Sequence, residues 1–169
     1  KTTTGPNQTD ALINYTKLND ARMRRLDKTT KISEIHQALF SNYQKKVTWL
    51  VLTESWCGDA AQSLPVLNKI AAITPHLTLK IVLRDAHIDL MQHFLTNEAM
   101  AIPKLIAIDE VSGDILGQWG PRPSEATKMV AHYKAANGSL SPEFKKDLQI
   151  WYTKDKGQSV IDDITRILT

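Results

Sequence analysis

The chain has 169 residues, of which 42% are apolar and 23% charged, a length and balance that suit one domain with a buried core and exclude extensive disorder. Its net charge of +3 is spread over scattered Lys and Arg rather than gathered in blocks, so no nucleic-acid footprint is evident. No apolar run is long enough for a membrane-spanning helix.

The single cysteine, Cys57, cannot close a disulfide within the chain. It fits a reducing compartment, so a cytoplasmic location is the expectation. Lys1-Thr2-Thr3-Thr4-Gly5-Pro6-Asn7 has neither an initiator Met nor an apolar signal core, and residues 1–9 read as a polar tail at a processed or truncated end.

From Asp10, a candidate cap, a helical spacing carries Leu12, Ile13, Tyr15, Leu18, Met23 and Leu26, with Arg22, Arg24, Arg25 and Lys28 as a solvated basic end that suits the helix dipole. A second helix is predicted over about 32–43, capped by Thr30 or Ser33 and burying Ile35, Leu39 and Phe40. Val47–Thr53 is a nearly continuous apolar run, as expected of a central strand covered on both faces. It leads into Thr53-Glu54-Ser55-Trp56-Cys57-Gly58-Asp59-Ala60, where a thiol would stand near free backbone N–H groups at a helix start, a setting that favours the thiolate. The helix after Asp59 contains Pro65 and stops at Thr74-Pro75.

Leu77–Leu83 reads as a second buried strand and 88–95 as a short helix, an alternation that predicts an α/β sheet with parallel neighbours. Lys104–Asp109 and Ile115–Trp119 follow as an antiparallel hairpin around Ser112-Gly113-Asp114. Ser124 is the expected N-cap of a helix over 125–136, ended by Asn137-Gly138. Two more helices are predicted from Ser141-Pro142 and over about 159–168, with Lys145, Lys146, Lys154 and Lys156 as a solvated basic face. Asp162-Asp163 and Asp109-Glu110 are read as solvated acids, and Trp49 and Trp151 as core or seam aromatics. The histidines 36, 76, 87, 93 and 132 offer no recognised ligand spacing with Cys57, so no metal and no resident cofactor is expected.

These residues resemble the thioredoxin superfamily. Trp56-Cys57-Gly58 matches the start of its Trp-Cys-Gly-Pro-Cys site after a central strand; Pro65 matches a helix proline eight residues after the nucleophile; Ile102-Pro103 matches its cis-proline segment, and Gly113 and Gly120 its hairpin and post-strand glycines. The Trp56–Ala61 turn, the Ile102–Ile106 strand and the Trp119–Pro123 loop are similar to a bacterial subgroup of thioredoxin-like proteins. The resemblance implies an α/β thioredoxin-like fold with a central mixed sheet flanked by helices: a core over 46–137, and helical extensions over 1–45 and 138–169 packed onto the same domain. It departs from the family where Asp59 and Ala60 replace the last two motif residues and where Val51 stands at the place of a buried proton-transfer aspartate.

The implied activity is monothiol thiol–disulfide exchange. Cys57 would be the nucleophile toward a protein disulfide or a low-molecular-weight one, with a thiol such as glutathione as co-substrate. Trp56, Gly58 and Pro103 would shape access, and backbone groups at Ile102 would hold the target. Lys104 and Arg122 near the mouth would stabilise a thiolate or carboxylate, and Trp119 would line the site. Asp59 is either a first-turn acid or a general base. The alternative is a non-catalytic binding module for a peptide or protein partner; a cluster shared between two subunits lacks the Cys-Gly-Phe-Ser motif of monothiol glutaredoxins.

Overall fold

The computed structural model describes residues 9–168. The polar-tail reading of residues 1–8 lies outside them. The sheet is built on β1 (Val47–Thr53), whose branched and aromatic residues are buried along most of its length. It pairs in parallel with β2 (Leu77–Leu83) and antiparallel with β3 (Lys104–Asp109), which in turn pairs antiparallel with β4 (Ile115–Trp119), giving the order β2-β1-β3-β4. The class is therefore α/β with a mixed, four-stranded thioredoxin-like sheet.

Seven helices flank it among the described residues: α1 (Asp10–Thr29), α2 (Glu34–Ser41), α3 (Gly58–Ala71), α4 (Ile88–Gln92), α5 (Ser124–Asn137), α6 (Pro142–Asp155) and α7 (Gln158–Leu168). None is long and apolar enough to cross a membrane. α3 is the most buried of them, and α1 and α7 pack against it. Its Val66, Leu67 and Ile70 meet Trp49 and Leu52 of β1, Ile106 of β3 and Ile161 and Ile164 of α7 in one core. α5 and α6 add a smaller cluster around Val130, Phe144, Leu148 and Tyr152.

The structure differs from the sequence reading at several points, each for a local reason. β2 is the margin of the sheet rather than a buried strand, so Ile81 and Leu83 stay half exposed. Ile35 is 80% exposed, because α2 turns Phe40, not its first turn, into the core. In α1, Tyr15 and Leu18 are exposed while Asn19 is buried, since that face lies on the polar end of α3. Thr9, not Asp10, caps α1 by accepting from Leu12 N–H. Ser33 does cap α2. Ser124 is the first residue of α5 rather than its cap, and both its N–H and its hydroxyl donate to Asp163. Asp163 is accordingly buried and not a solvated acid.

Candidate functional site at the start of α3

Between β1 and α3 the chain makes a tight turn closed by Cys57 N–H to the Glu54 carbonyl, 3.0 Å. The Glu54 carboxylate accepts from Asp85 N–H at 2.9 Å, and Arg84, ion-paired to Asp85 at 2.7 Å, stands over the Trp56 ring at 5.3 Å. Trp56 is thereby fixed at the rim, half-buried. Cys57 is the N-cap of α3: its Sγ accepts from Ala60 N–H at 3.5 Å and donates to the Ile102 carbonyl at 3.3 Å. Burial to 8% exposure pushes the thiol up to about 11. The Ala60 amide pulls it down, the Asp59 charge pushes it up, and the Asp59 amide and Arg122 pull it down, none of them enough to offset desolvation.

Asp59 holds this corner together. Its Oδ2 is ion-paired with Arg122 at 2.7 Å and its Oδ1 accepts from the Tyr152 hydroxyl at 3.0 Å. Burial raises its carboxyl above the ordinary value, against the pull of Arg122, the Tyr152 hydrogen bond and Arg22. Both carboxylate oxygens are therefore committed away from the sulfur. Arg122 keeps a buried Nε without a partner. On the other side, Asn19 of α1 donates to the Ser55 carbonyl at 3.0 Å and accepts from Arg22, whose guanidinium lies next to Gly58. Gln62 of α3 accepts from Arg25 and donates to Gln149 of α6 at 2.9 Å.

Ile102 and Pro103 are buried beside the turn, and the Ile102–Pro103 and Gly120–Pro121 bonds are cis. Gly120 has φ of 110°, and a Cβ there would collide with the Pro103 carbonyl, so no side chain fits between the two loops. Lys104 is buried, its ammonium lowered by desolvation and bonded to Gln118 at 3.3 Å, so it faces the hairpin and not the thiol. Trp119 is also turned away, its ring N–H donating to Asp163 at 3.1 Å. Of the expected site residues, the structure gathers Trp56, Cys57, Gly58, Asp59, Ile102, Pro103 and Arg122, and sends Lys104 and Trp119 elsewhere.

Sequence reasoning missed Asn19, Arg22, Gln149 and Tyr152. A signal existed for the first two, since Asn19 and Arg22 at i and i+3 put a polar stripe within the apolar face of α1. None pointed to Tyr152, which is 93 residues from Asp59 in the chain. Among the described residues, no group of three or more His, Cys, Asp or Glu side chains is placed to hold a metal ion.

A thioredoxin family model matches residues 5–135. The chain belongs to the thioredoxin family. No curated protein matches its sequence. Among solved structures it is similar to a protein of unknown function, PA1234, from Pseudomonas aeruginosa, at 18% identity and TM-score 0.71, over 92% of this chain and 89% of that one. It is also similar to an HIV epitope-scaffold, at 18% identity and TM-score 0.67, over 92% and 90% of the two chains. At such identity these likenesses speak for the thioredoxin-like fold. Tyr152 and Gln149 lie beyond the segment matched by the family model.

Proposed function

We propose that the protein carries out slow monothiol thiol–disulfide exchange through Cys57. The observation that supports it is the placement of Sγ: at the α3 N-terminus, accepting one backbone N–H and lying against the carbonyl that precedes the cis proline. In the forward step the Cys57 thiolate attacks one sulfur of an external disulfide; the S–S bond breaks, one external thiolate leaves, and a mixed disulfide with Cys57 forms. With no second cysteine in the chain, an external thiolate attacks the partner's sulfur of the mixed disulfide, the bond to Cys57 breaks, Cys57 leaves as thiolate, and a new external disulfide forms. One such cycle exchanges one external thiol into the disulfide and releases another, and a second cycle on the resulting mixed disulfide completes the reduction of the first disulfide by two external thiols.

The raised thiol sets the rate. With a pKa of about 11, roughly one molecule in 10⁴ is thiolate at pH 7, against about 3% for an unperturbed cysteine. The more basic thiolate is more nucleophilic by about tenfold, so the net loss is about 20–30-fold: slow exchange rather than none. Asp59 is not the base in this reading, because its two oxygens serve Arg122 and Tyr152.

A binding module is the second reading, favoured by the burial of the thiol and the internal use of both its donor and its acceptor. Intact mass after incubation with glutathione disulfide separates the two. Exchange requires one glutathione adduct that forms faster as pH rises and is absent in Cys57→Ser. An unmodified mass throughout the alkaline range, with the fold intact, would refute exchange and leave the binding module.

A further inference from the structure

On the side of α6 and α7 facing the α1–α2 junction, a pocket of about 430 Å³ is lined by Thr29, Lys31, Ser33, Lys154, Asp155, Lys156 and Gln158. We propose that it binds the phosphoryl group of inorganic phosphate or of a small phosphate ester. Four helix ends meet there: the end of α1, the N-cap of α2, the end of α6 and the start of α7. The Lys31 carbonyl accepts from the Gln158 side chain at 3.0 Å, which ties the α1–α2 link to the start of α7. Gly157, with its φ of 85°, is packed so closely beside Val66 of α3 that a Cβ there would collide with it, which seats the α6–α7 link on α3.

Charge decides the ligand class. Lys31, Lys154 and Lys156 make no ion pair among the described residues. The acid in the lining, Asp155, is consumed internally: its oxygens accept from Gly157 N–H, Ser159 N–H and the Ser159 hydroxyl, which caps the start of α7. The lining thus carries three free ammonium groups against one engaged carboxylate. The carbonyl ends of α1 and α6 partly offset this, but their pull on a lysine is weak and screened compared with a dianion shared between ammonium groups. Lys156 also occupies a left-handed position, φ 55°, at the end of α6, where Gly or Asn is the usual choice. Ser33 is spent on capping α2, whereas the Thr29 hydroxyl and the Gln158 amide, which donate to the Arg25 and Lys31 carbonyls, keep oxygen acceptors suited to a sugar or glycerol hydroxyl.

The test is titration of the ¹⁵N-labelled protein with inorganic phosphate, glucose 6-phosphate and, as neutral control, glucose. Saturable shifts at residues 29–33 and 154–158, weakened by added salt, are expected with glucose 6-phosphate and not with glucose. Equal affinity for inorganic phosphate identifies free phosphate as the ligand; clearly tighter binding of the ester identifies the ester. Lys31→Met with Lys154→Met should weaken binding about tenfold or more, whereas Lys145→Met with Lys146→Met, which removes the same charge from α6 outside the pocket, should leave it unchanged. Unsaturated shifts, shifts scattered over the basic surface, or equal weakening by both double variants would overturn the assignment. None of these results depends on Cys57.

Discussion

Asp59→Asn separates an acid that opposes the thiolate from one that makes it. The Asp59 charge pushes the Cys57 thiol up, while Arg122, tied to that carboxylate at 2.7 Å, pulls it down. Asparagine removes the first and unmasks the second, so both changes act downward. A neighbouring charge commonly moves a pKa by 1–3 units. Here the charge effect ranks behind burial and the Ala60 amide, which places the fall at about 1 unit, from about 11 toward 10. The thiolate fraction at pH 8 then rises about tenfold, offset about threefold by lower nucleophilicity, for a net gain of about threefold in alkylation by iodoacetamide. A general-base role requires the opposite, a slower variant. Stability adds a second, independent sign. The Asp59 carboxyl is raised in the folded protein, so folding binds its proton more tightly, and stability falls as pH rises from the ordinary carboxylate range through the folded value. Asparagine abolishes that slope and still offers an oxygen to Tyr152, so the variant should lie within about 1 kcal/mol of the parent at neutral pH rather than showing the 3–5 kcal/mol loss of a broken buried pair. The measurements are alkylation rate against pH and urea midpoints at several pH values. A rate midpoint that stays or rises would refute the electrostatic argument.

Three further outcomes follow from the same geometry. Because the thiol is raised to about 11, the parent should lose roughly 3 kcal/mol of stability between about pH 8.5 and 11 relative to Cys57→Ser, read from denaturant midpoints along the pH series. Tyr152→Phe removes the hydroxyl that serves the Asp59 carboxylate and should cost about 2 kcal/mol in urea unfolding; a loss below about 0.5 kcal/mol would show that water replaces it. Asp163→Ala leaves the buried Trp119 N–H and the Ser124 N–H and hydroxyl without their acceptor, so a loss of about 3 kcal/mol with a shift in tryptophan fluorescence is expected. Unchanged fluorescence would count against that anchor.

The elements that repeat a local pattern were legible from the chain. β1 announces itself by a nearly continuous apolar run rich in β-forming residues, and α3 by its apolar spacing through Pro65. The Cys57 turn was legible because it joins the two. What sequence could not carry was the direction in which charged side chains point. Lys104 follows the cis proline directly, yet its ammonium is drawn to Gln118 on the adjacent strand. Asp162 and Asp163 look alike in sequence, but only a helix facing Trp119 and Ser124 can bury one and expose the other. The order of strands was equally silent on which apolar run would lie at the margin, so Ile81 and Leu83 read as core although no strand covers β2 on that side.

The same limit explains the thiol. The turn sequence places Cys57 where a helix dipole and free amides favour the thiolate, and the structure supplies both the dipole and the Ala60 N–H. Yet burial outweighs them, and burial is a property of what lies over the turn, not of the turn. Among the groups acting on the thiol, the acid is Asp59, with Val51 standing where the family carries its proton-transfer aspartate. Asp59 is held by Arg122 from the loop after β4 and by Tyr152 from α6, outside the segment matched by the family. The residues that hold Asp59, one of the groups acting on Cys57, therefore come both from the segment matched by the family model and from α6 beyond it. Loosening α6 should change thiol reactivity without touching any residue of the Trp56–Ala60 turn.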